Sequence, residues 1–516
     1  MKKFVSKISL VFFIALVMLL VTTFILPCTP TQADETDPEC WGVFVGVSDY
    51  EVINDLDFCD DDARDFYEVF SPIWGMSNTK LLVDSQATKS NIMDAISWMI
   101  ANADADDTVT LTFSGHGADT GALCPYDIGV TNLGISKVEL SSALNAIQAE
   151  KIVVILDICY SGKFEVTLSK SGRVLMLACR SDELSYEDDE LHNGIFSYYL
   201  IEALNSFDIV DMNHDFELSA EEIALYANPL TTSFESSQHP VLNDEFIGEL
   251  ALIAKFVFAL NIALPAGTNI LTLDGIEYTT PPQTQFWIPD SAHTIRVPET
   301  VHVASGTRYT FTGWNDGDTL ATRTISKGLY IANYNLEQLL SVISTYGDPT
   351  GAGWYLDGST VTFSVTPFIY LPDTKHIFTG WSGDFTGASP TGSFIMDVPK
   401  TVTANWRNEY LLTLNSEYGT LAGAGWYDEG ETVNISVTPE QGFLIRQIFD
   451  GWTGDLNITA SSTSLTLDSP KTITAMWHTD YIQLFILIVV ILVVAGIVTT
   501  IIIIRRKSAN PTLPSA

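Results

Sequence analysis

Between residues 41 and 253, short runs of apolar and β-branched residues alternate with stretches of helical periodicity. The runs WGVFVGV (41–47), KLLVD (80–84), TVTLTF (108–113), KIVVIL (151–156) and VLMLA (174–178) predict strands, and 61–70, 91–100, 136–147 and 194–204 predict helices. Strands that are apolar throughout, separated by helices, predict an α/β fold: a mostly parallel sheet covered on both faces. Such sheets bind their ligands at the carboxyl ends of the strands.

After residue 255 the pattern changes to short alternating runs rich in Thr, Gly, Pro and aromatics, and an internal repeat emerges. STYGDPTGAGWYLDGSTVTFSVTP (344–367) returns as SEYGTLAGAGWYDEGETVNISVTP (416–439), FTGWSGD (378–384) as FDGWTGD (449–455), and PKTVTANW (399–406) as PKTITAMW (470–477). The spacing is 72 residues for Trp354 to Trp426 and 71 for Trp381 to Trp452 and Trp406 to Trp477, so the register holds through the unit. A divergent copy centred on FTGWNDGD (311–318) fills the stretch before them. Small all-β modules in a row are expected, with the tryptophans as core anchors. Their Gly-Trp pattern resembles the β-repeats of microbial surface proteins, including divergent relatives of the internalin B repeat.

Two segments are apolar all round. Residues 8–26 follow Lys2, Lys3 and Lys7 and precede Thr31-Gln32-Ala33, the form of a secretory signal, with an uncleaved anchor as the other reading. Residues 481–504 carry no charge and end at Arg505-Arg506-Lys507, which predicts one membrane span with a cytoplasmic basic tail. The chain as a whole is strongly acidic: 25 Lys and Arg stand against 63 Asp and Glu, a formal charge of −38. That balance argues against nucleic acid as a partner and suits an extracellular or high-salt setting. Six cysteines, at 28, 40, 59, 124, 159 and 179, are too sparse for a disulfide scaffold and match no zinc spacing.

Candidate chemistry centres on Ser114-Gly115-His116-Gly117 and Cys159-Tyr160-Ser161-Gly162, each at the carboxyl end of a predicted strand. Neighbouring parallel strands would place an imidazole beside a thiol, and the flanking glycines would let a substrate backbone approach. SGHG followed some forty residues later by Asp-x-Cys-x-Ser-Gly resembles the caspase and metacaspase group of cysteine peptidases, relatives of legumain, gingipain and clostripain. LDFCDDDA (56–63), LCPYD (123–127) and GIFSYYLIEAL (194–204) resemble further motifs of that group, while Tyr160 and Asp61 stand where metacaspases usually carry His and Asn.

The resemblance implies a protein or peptide substrate, Cys159 as nucleophile, His116 as general acid and base, and the amides of Gly117 and Cys159 as oxyanion donors. It also matches Asp62 and Asp157 to the acidic pair with which metacaspases bind Arg or Lys before the scissile bond, a good seat for a guanidinium. Asp61 and Asp62 could equally serve only the helix dipole.

Farther on, Asp211, Asn213, Asp215, the Glu217 carbonyl, Ser219 and Glu222 fall at positions 1, 3, 5, 7, 9 and 12 of an EF-hand spacing, with Phe216 in place of the usual Gly. A Ca2+ site is the functional reading, and a capping box at Ser219 and Glu222 the bland one. No organic cofactor is expected. The expected organisation is a signal (1–33), a peptidase domain (34–255), β-modules at 256–340, 341–407 and 408–478, a membrane helix (481–504) and a tail (505–516). A surface adhesion protein with an inactive head, and a legumain-like asparaginyl peptidase or transpeptidase, are the alternative functions.

Overall fold

The computed structural model describes residues 37–264, 266–280 and 284–508. The expected signal segment and the last residues of the tail lie outside them. The described residues fall into two compact units, one drawn from residues up to 299 together with 311–334, the other from 300–310 together with 335 onward.

The first unit is built on a six-stranded sheet. In chain order its main elements are β1 (Cys40–Gly46), α1 (Cys59–Trp74), β2 (Thr79–Val83), α2 (Lys89–Asn102), β3 (Thr108–Ser114), α3 (Lys137–Leu144), β4 (Lys151–Asp157), β5 (Arg173–Leu177), α4 (Ile195–Asn205), α5 (Ala220–Phe234) and β6 (Val241–Asp244). The strand order is β6-β5-β4-β3-β1-β2, parallel except for β6. Every residue of β1 and β3 is buried. Alternate side chains feed opposite cores: Val43, Val45, Val109 and Leu111 pack with α2 and α3, while Phe44, Val153 and Ile155 pack with α1, α4 and α5. The continuous apolar runs therefore reflect two covered faces.

Helix α1 is longer at both ends than its periodicity predicts. It passes through Pro72 because the proline sits in the last turn, where one lost hydrogen bond is outweighed by the stack of Phe44, Phe70 and Trp74. Its start has no side-chain cap of its own; Glu187, 129 residues later in the chain, accepts hydrogen bonds from the amides of Asp57 and Phe58. The expected domain boundary at 255 lies inside a strand, β7 (Ala251–Leu260), which pairs in parallel with the first part of β8 (Gly328–Ile343).

In the second unit the repeats appear as twisted strands around two small cores. Long strands β8 and β9 (Lys400–Ser416) run through the expected boundaries at 340 and 407. Strands β10 (Arg446–Gly454) and β11 (Lys471–Asp480) complete the last copy. Trp381 and Trp452 are core anchors, buried, with indole N–H groups donating to the carbonyls of Ser389 and Ala460. Trp406 and Trp477 donate to Ser344 and Ser416. Trp354 and Trp426 are only half-buried, and their rings carry the Arg308 guanidinium at 4.2 Å and the Lys375 ammonium at 4.0 Å. The chain then enters α6 (Ile482–Ser508), a 27-residue helix, apolar throughout its central span and long enough to cross a membrane.

Candidate active site

Ser114 ends β3 and Asp157 ends β4, and the two are register partners. His116 and Cys159 each lie two residues farther on, so strand pairing alone brings them to one edge. Both border a cleft of about 290 Å³, together with Leu56, Asp57, Asp157, Ser185 and Glu187. The backbone N–H of His116 donates to the Tyr50 hydroxyl at 2.7 Å, and the two rings lie 5.0 Å apart. Imidazole Nε2 is 2.9 Å from the Asn54 carbonyl oxygen. A carbonyl only accepts, so Nε2 carries a hydrogen, and in the neutral ring that tautomer leaves the lone pair on Nδ1.

The Cys159 Sγ is 3.7 Å from the Ser185 carbonyl. Burial, the strongest influence on this thiol, raises its pKa above the ordinary value. The next residue, Tyr160, adopts the left-handed region at φ 62°, an uncommon cost for an aromatic side chain that turns the chain sharply after Cys159. Gly117 permits the close approach of the two loops, since a Cβ there would lie 2.2 Å from the Cys159 carbonyl oxygen.

Behind the cleft sit two buried carboxylates. Asp62 accepts from the Ser114 hydroxyl (2.6 Å), the Asn193 amide (3.0 Å) and the Gly194 N–H (2.9 Å). Asp157 accepts from the Ser185 hydroxyl and from both the N–H and the hydroxyl of Ser197. Only a glycine fits at 194, where a Cβ would sit 2.5 Å from an Asp157 oxygen and 2.9 Å from an Asp62 oxygen. Burial, then the charge of Asp157, pushes the Asp62 carboxyl well above the usual range; burial likewise raises Asp157. Asp157 borders the cleft directly, whereas Asp62 lies fully buried behind Ser114 and Gly194. Asp61, at the helix surface, pairs with Arg64.

Residues 40–244 match the family model of the caspase domain. Residues 339–409 and 410–480 each match the divergent InlB B-repeat domain. Among solved structures, a Geobacter sulfurreducens protein aligns at 16% identity over 41% of this chain and 95% of its own, with a TM-score of 0.31. No curated protein matches the chain.

Several residues of the caspase domain's cleft escaped the sequence reading. Tyr50 and Asn54 orient His116 from the loop after β1, and Glu187 ties the loop after β5 to the start of α1 while also accepting from the Cys59 thiol at 3.2 Å. None has a periodic or motif signal, and only the strand order reveals them. The five cysteines among the described residues are free thiols.

The 211–222 loop lies beyond α4. Phe216 takes φ 67°, the left-handed turn for which that position usually needs glycine. Asp211 accepts from the amides of Asp215 and Phe216. Asn213 and Asp215 accept from backbone amides within the loop. The outer carboxylates of Asp215 and Glu217 hold the Lys327 ammonium at 3.1 and 2.7 Å. Glu222 accepts from the amides of Met212 and Ser219 and completes the capping box with the Ser219 hydroxyl. The donor types suit calcium, but in this arrangement their oxygens are taken up by the loop's own N–H groups and Lys327 instead of converging. Among the described residues, the acids close enough to share an ion are Asp104, Asp106 and Asp107.

The raised pKa of Cys159 has a direct test. Alkylation by iodoacetamide, mapped to Cys159 by mass spectrometry, is expected to be slow at neutral pH and to climb through the alkaline range. A rate already at its plateau at neutral pH would show a preformed thiolate and contradict this electrostatic reading.

Proposed function

We propose that the chain is a membrane-anchored cysteine endopeptidase that cleaves after Arg or Lys. The observation that carries the reading is the cleft itself: His116 and Cys159 border it, three carboxylates (Asp57, Asp157 and Glu187) line it, and among the described residues no lysine or arginine does. A pocket for an acidic side chain would need a cation that this one lacks.

In the proposed reaction the substrate carbonyl rests on the amides of Gly117 and Cys159. His116 Nδ1 takes the thiol proton as Sγ attacks the carbonyl carbon, a transfer made necessary by the burial that raises the thiol pKa. The same proton then passes to the leaving amine as the peptide bond breaks, giving an acyl-enzyme. Water, deprotonated by His116, hydrolyses the thioester and restores the thiol. The guanidinium or ammonium before the scissile bond sits against Asp157, with Asp62 supporting through Ser114. Helix α6 supplies the anchor, and the basic residues Arg505, Arg506 and Lys507 at its end favour a cytoplasmic tail with the acidic units outside.

The test is cleavage by the full chain of peptides with Arg, Lys, Asn or Asp at the scissile position. Turnover of the first two alone, lost in Cys159→Ala and His116→Ala, is expected; preferential turnover of Asn or Asp peptides would overturn the specificity. Asp157→Asn should cost roughly 2–5 kcal/mol in kcat/KM for Arg peptides, the range for removing one partner of a buried pair. A pH dependence follows from the raised carboxyl values. Ionised Asp62 and Asp157 bind a cation, so kcat/KM for Arg peptides should rise as pH climbs through their elevated range, and Asp157→Asn should flatten that rise. The sign for stability is opposite: the contribution of these groups is complete below the ordinary carboxylate range and is lost as pH rises through the raised values.

A calcium ion belongs to the same reading as a structural element only. Asp211, Asp215, Glu217 and Glu222 share this loop, and among the described residues Lys327 is the cation paired with it, on Asp215 and Glu217. An ion at the loop would displace Lys327 from Asp215. Calcium is expected to raise the melting temperature and a chelator to lower it, with the response lost in Asp211→Ala. A melting curve unchanged by both would leave Lys327 as the loop's cation.

A further inference from the structure

The last β-module ends in a hairpin unlike its predecessor. In the preceding copy the hairpin tip before Lys375 reads Pro372-Asp373-Thr374; one repeat of 71 residues later the tip before Arg446 reads Phe443-Leu444-Ile445. Three consecutive positions thus change from turn-forming and polar to large and apolar. In the preceding copy the Asp373 carbonyl accepts from the N–H of Leu411, where β9 runs on into the next module. In the last copy no next module follows, and the equivalent strand passes into α6.

The register places the apolar tip. Arg446, the first residue of β10, is the partner of Asp480, the last residue of β11, and its guanidinium holds the Asp480 carboxylate at 2.6 Å. The other oxygen of Asp480 accepts from the N–H of Ile482 at 2.8 Å and so caps the first turn of α6. Residues 443–445 therefore extend beyond the level of Asp480, on the side where the chain enters the helix. Gly442, at φ 94°, makes the tight turn that brings them there. Phe443 is 85% exposed, Leu444 37%, Ile445 47% and the neighbouring Tyr481 57%.

From this juxtaposition we propose that the 443–445 tip is an interfacial membrane anchor, its three apolar side chains seated at the boundary of headgroups and acyl chains in the bilayer that α6 crosses. The proposal rests on the reading of α6 as a span. Lengths agree: residues 443–445 close a tight turn with Gly442, so at about 3.3 Å per residue the folded-back tip reaches roughly 5 Å past Asp480, the shallow end of the depth of interfacial apolar groups. A 27-residue helix is about 40 Å long against a hydrocarbon core of about 30 Å, so its first residues lie in that same interface. The Arg446–Asp480 pair then joins tip and helix into one two-point anchor.

The experiment places an environment-sensitive fluorophore at Phe443→Cys, at Leu492→Cys in the middle of α6, and at Asp455→Cys at the opposite end of β10. Each is made in the full chain carrying Cys28→Ser and Cys159→Ala and reconstituted in lipid nanodiscs with and without acyl-chain-brominated lipid. The expected result is a blue shift with quenching at 443 and 492, and neither at 455. Quenching at 492 without quenching at 443 would place the tip in water or against a protein partner and overturn the proposal. Absence of quenching at 492 would refute the spanning reading itself, and the tip anchor with it.

Discussion

Two carboxylates buried side by side are the constraint around which the caspase domain is arranged. Asp62 lies in the first turn of α1 and Asp157 ends β4, and each is almost wholly removed from water. Isolated, either charge would be prohibitively costly there, so each draws three hydrogen bonds from separate parts of the chain. Those donors come from the end of β3, from the 185–197 segment and from the first turn of α4. Satisfying the two acids therefore fastens the loops that carry His116 and Cys159, each two residues from a member of the network. The elements that make the cleft acidic also hold its chemistry in place.

The same acids give the cleft its negative lining. Burial, and for Asp62 then the charge of Asp157, works against full ionisation, and in the proposed reaction an arriving guanidinium would offset that repulsion. Glu187 adds a second function to the acidic lining by accepting from the amides of Asp57 and Phe58 at the head of α1, whose first turn bears Asp62. Outside the caspase domain, the repeats use a different device: a half-buried, ion-paired cation over a half-buried tryptophan, Arg308 on Trp354 and Lys375 on Trp426. In the last copy Arg446 takes the position of Lys375 but meets Asp480 and the start of α6 in place of another tryptophan.

The sheet was readable in the sequence because strands covered on both faces are apolar at every position, and the two motifs could be placed because catalytic loops follow strand ends. The repeat was readable because its tryptophans recur at fixed spacing. Strand order was not, and with it went the contacts that depend on order: Glu187 at the head of α1, Asn193 and Gly194 on Asp62, Asn54 on His116. Strands β7, β8 and β9 continue across the expected limits at 255, 340 and 407 without a break in periodicity, so the periodic pattern alone does not mark where one module ends. The acidic loop at 211–222 shows how spacing alone underdetermines a site, since the same residues serve as a capping box and as the partners of Lys327.

The central claim is that Cys159 attacks a carbonyl held by a cation-binding cleft, and a covalent probe tests both parts together. A peptidyl arginine chloromethyl ketone should lose chloride to the Cys159 sulfur, and mass spectrometry of the intact chain should show one thioether adduct that maps to the peptide containing Cys159. The same warhead on an aspartyl peptide should leave the chain unmodified. An adduct at another cysteine, or equal labelling by the aspartyl probe, would contradict the account.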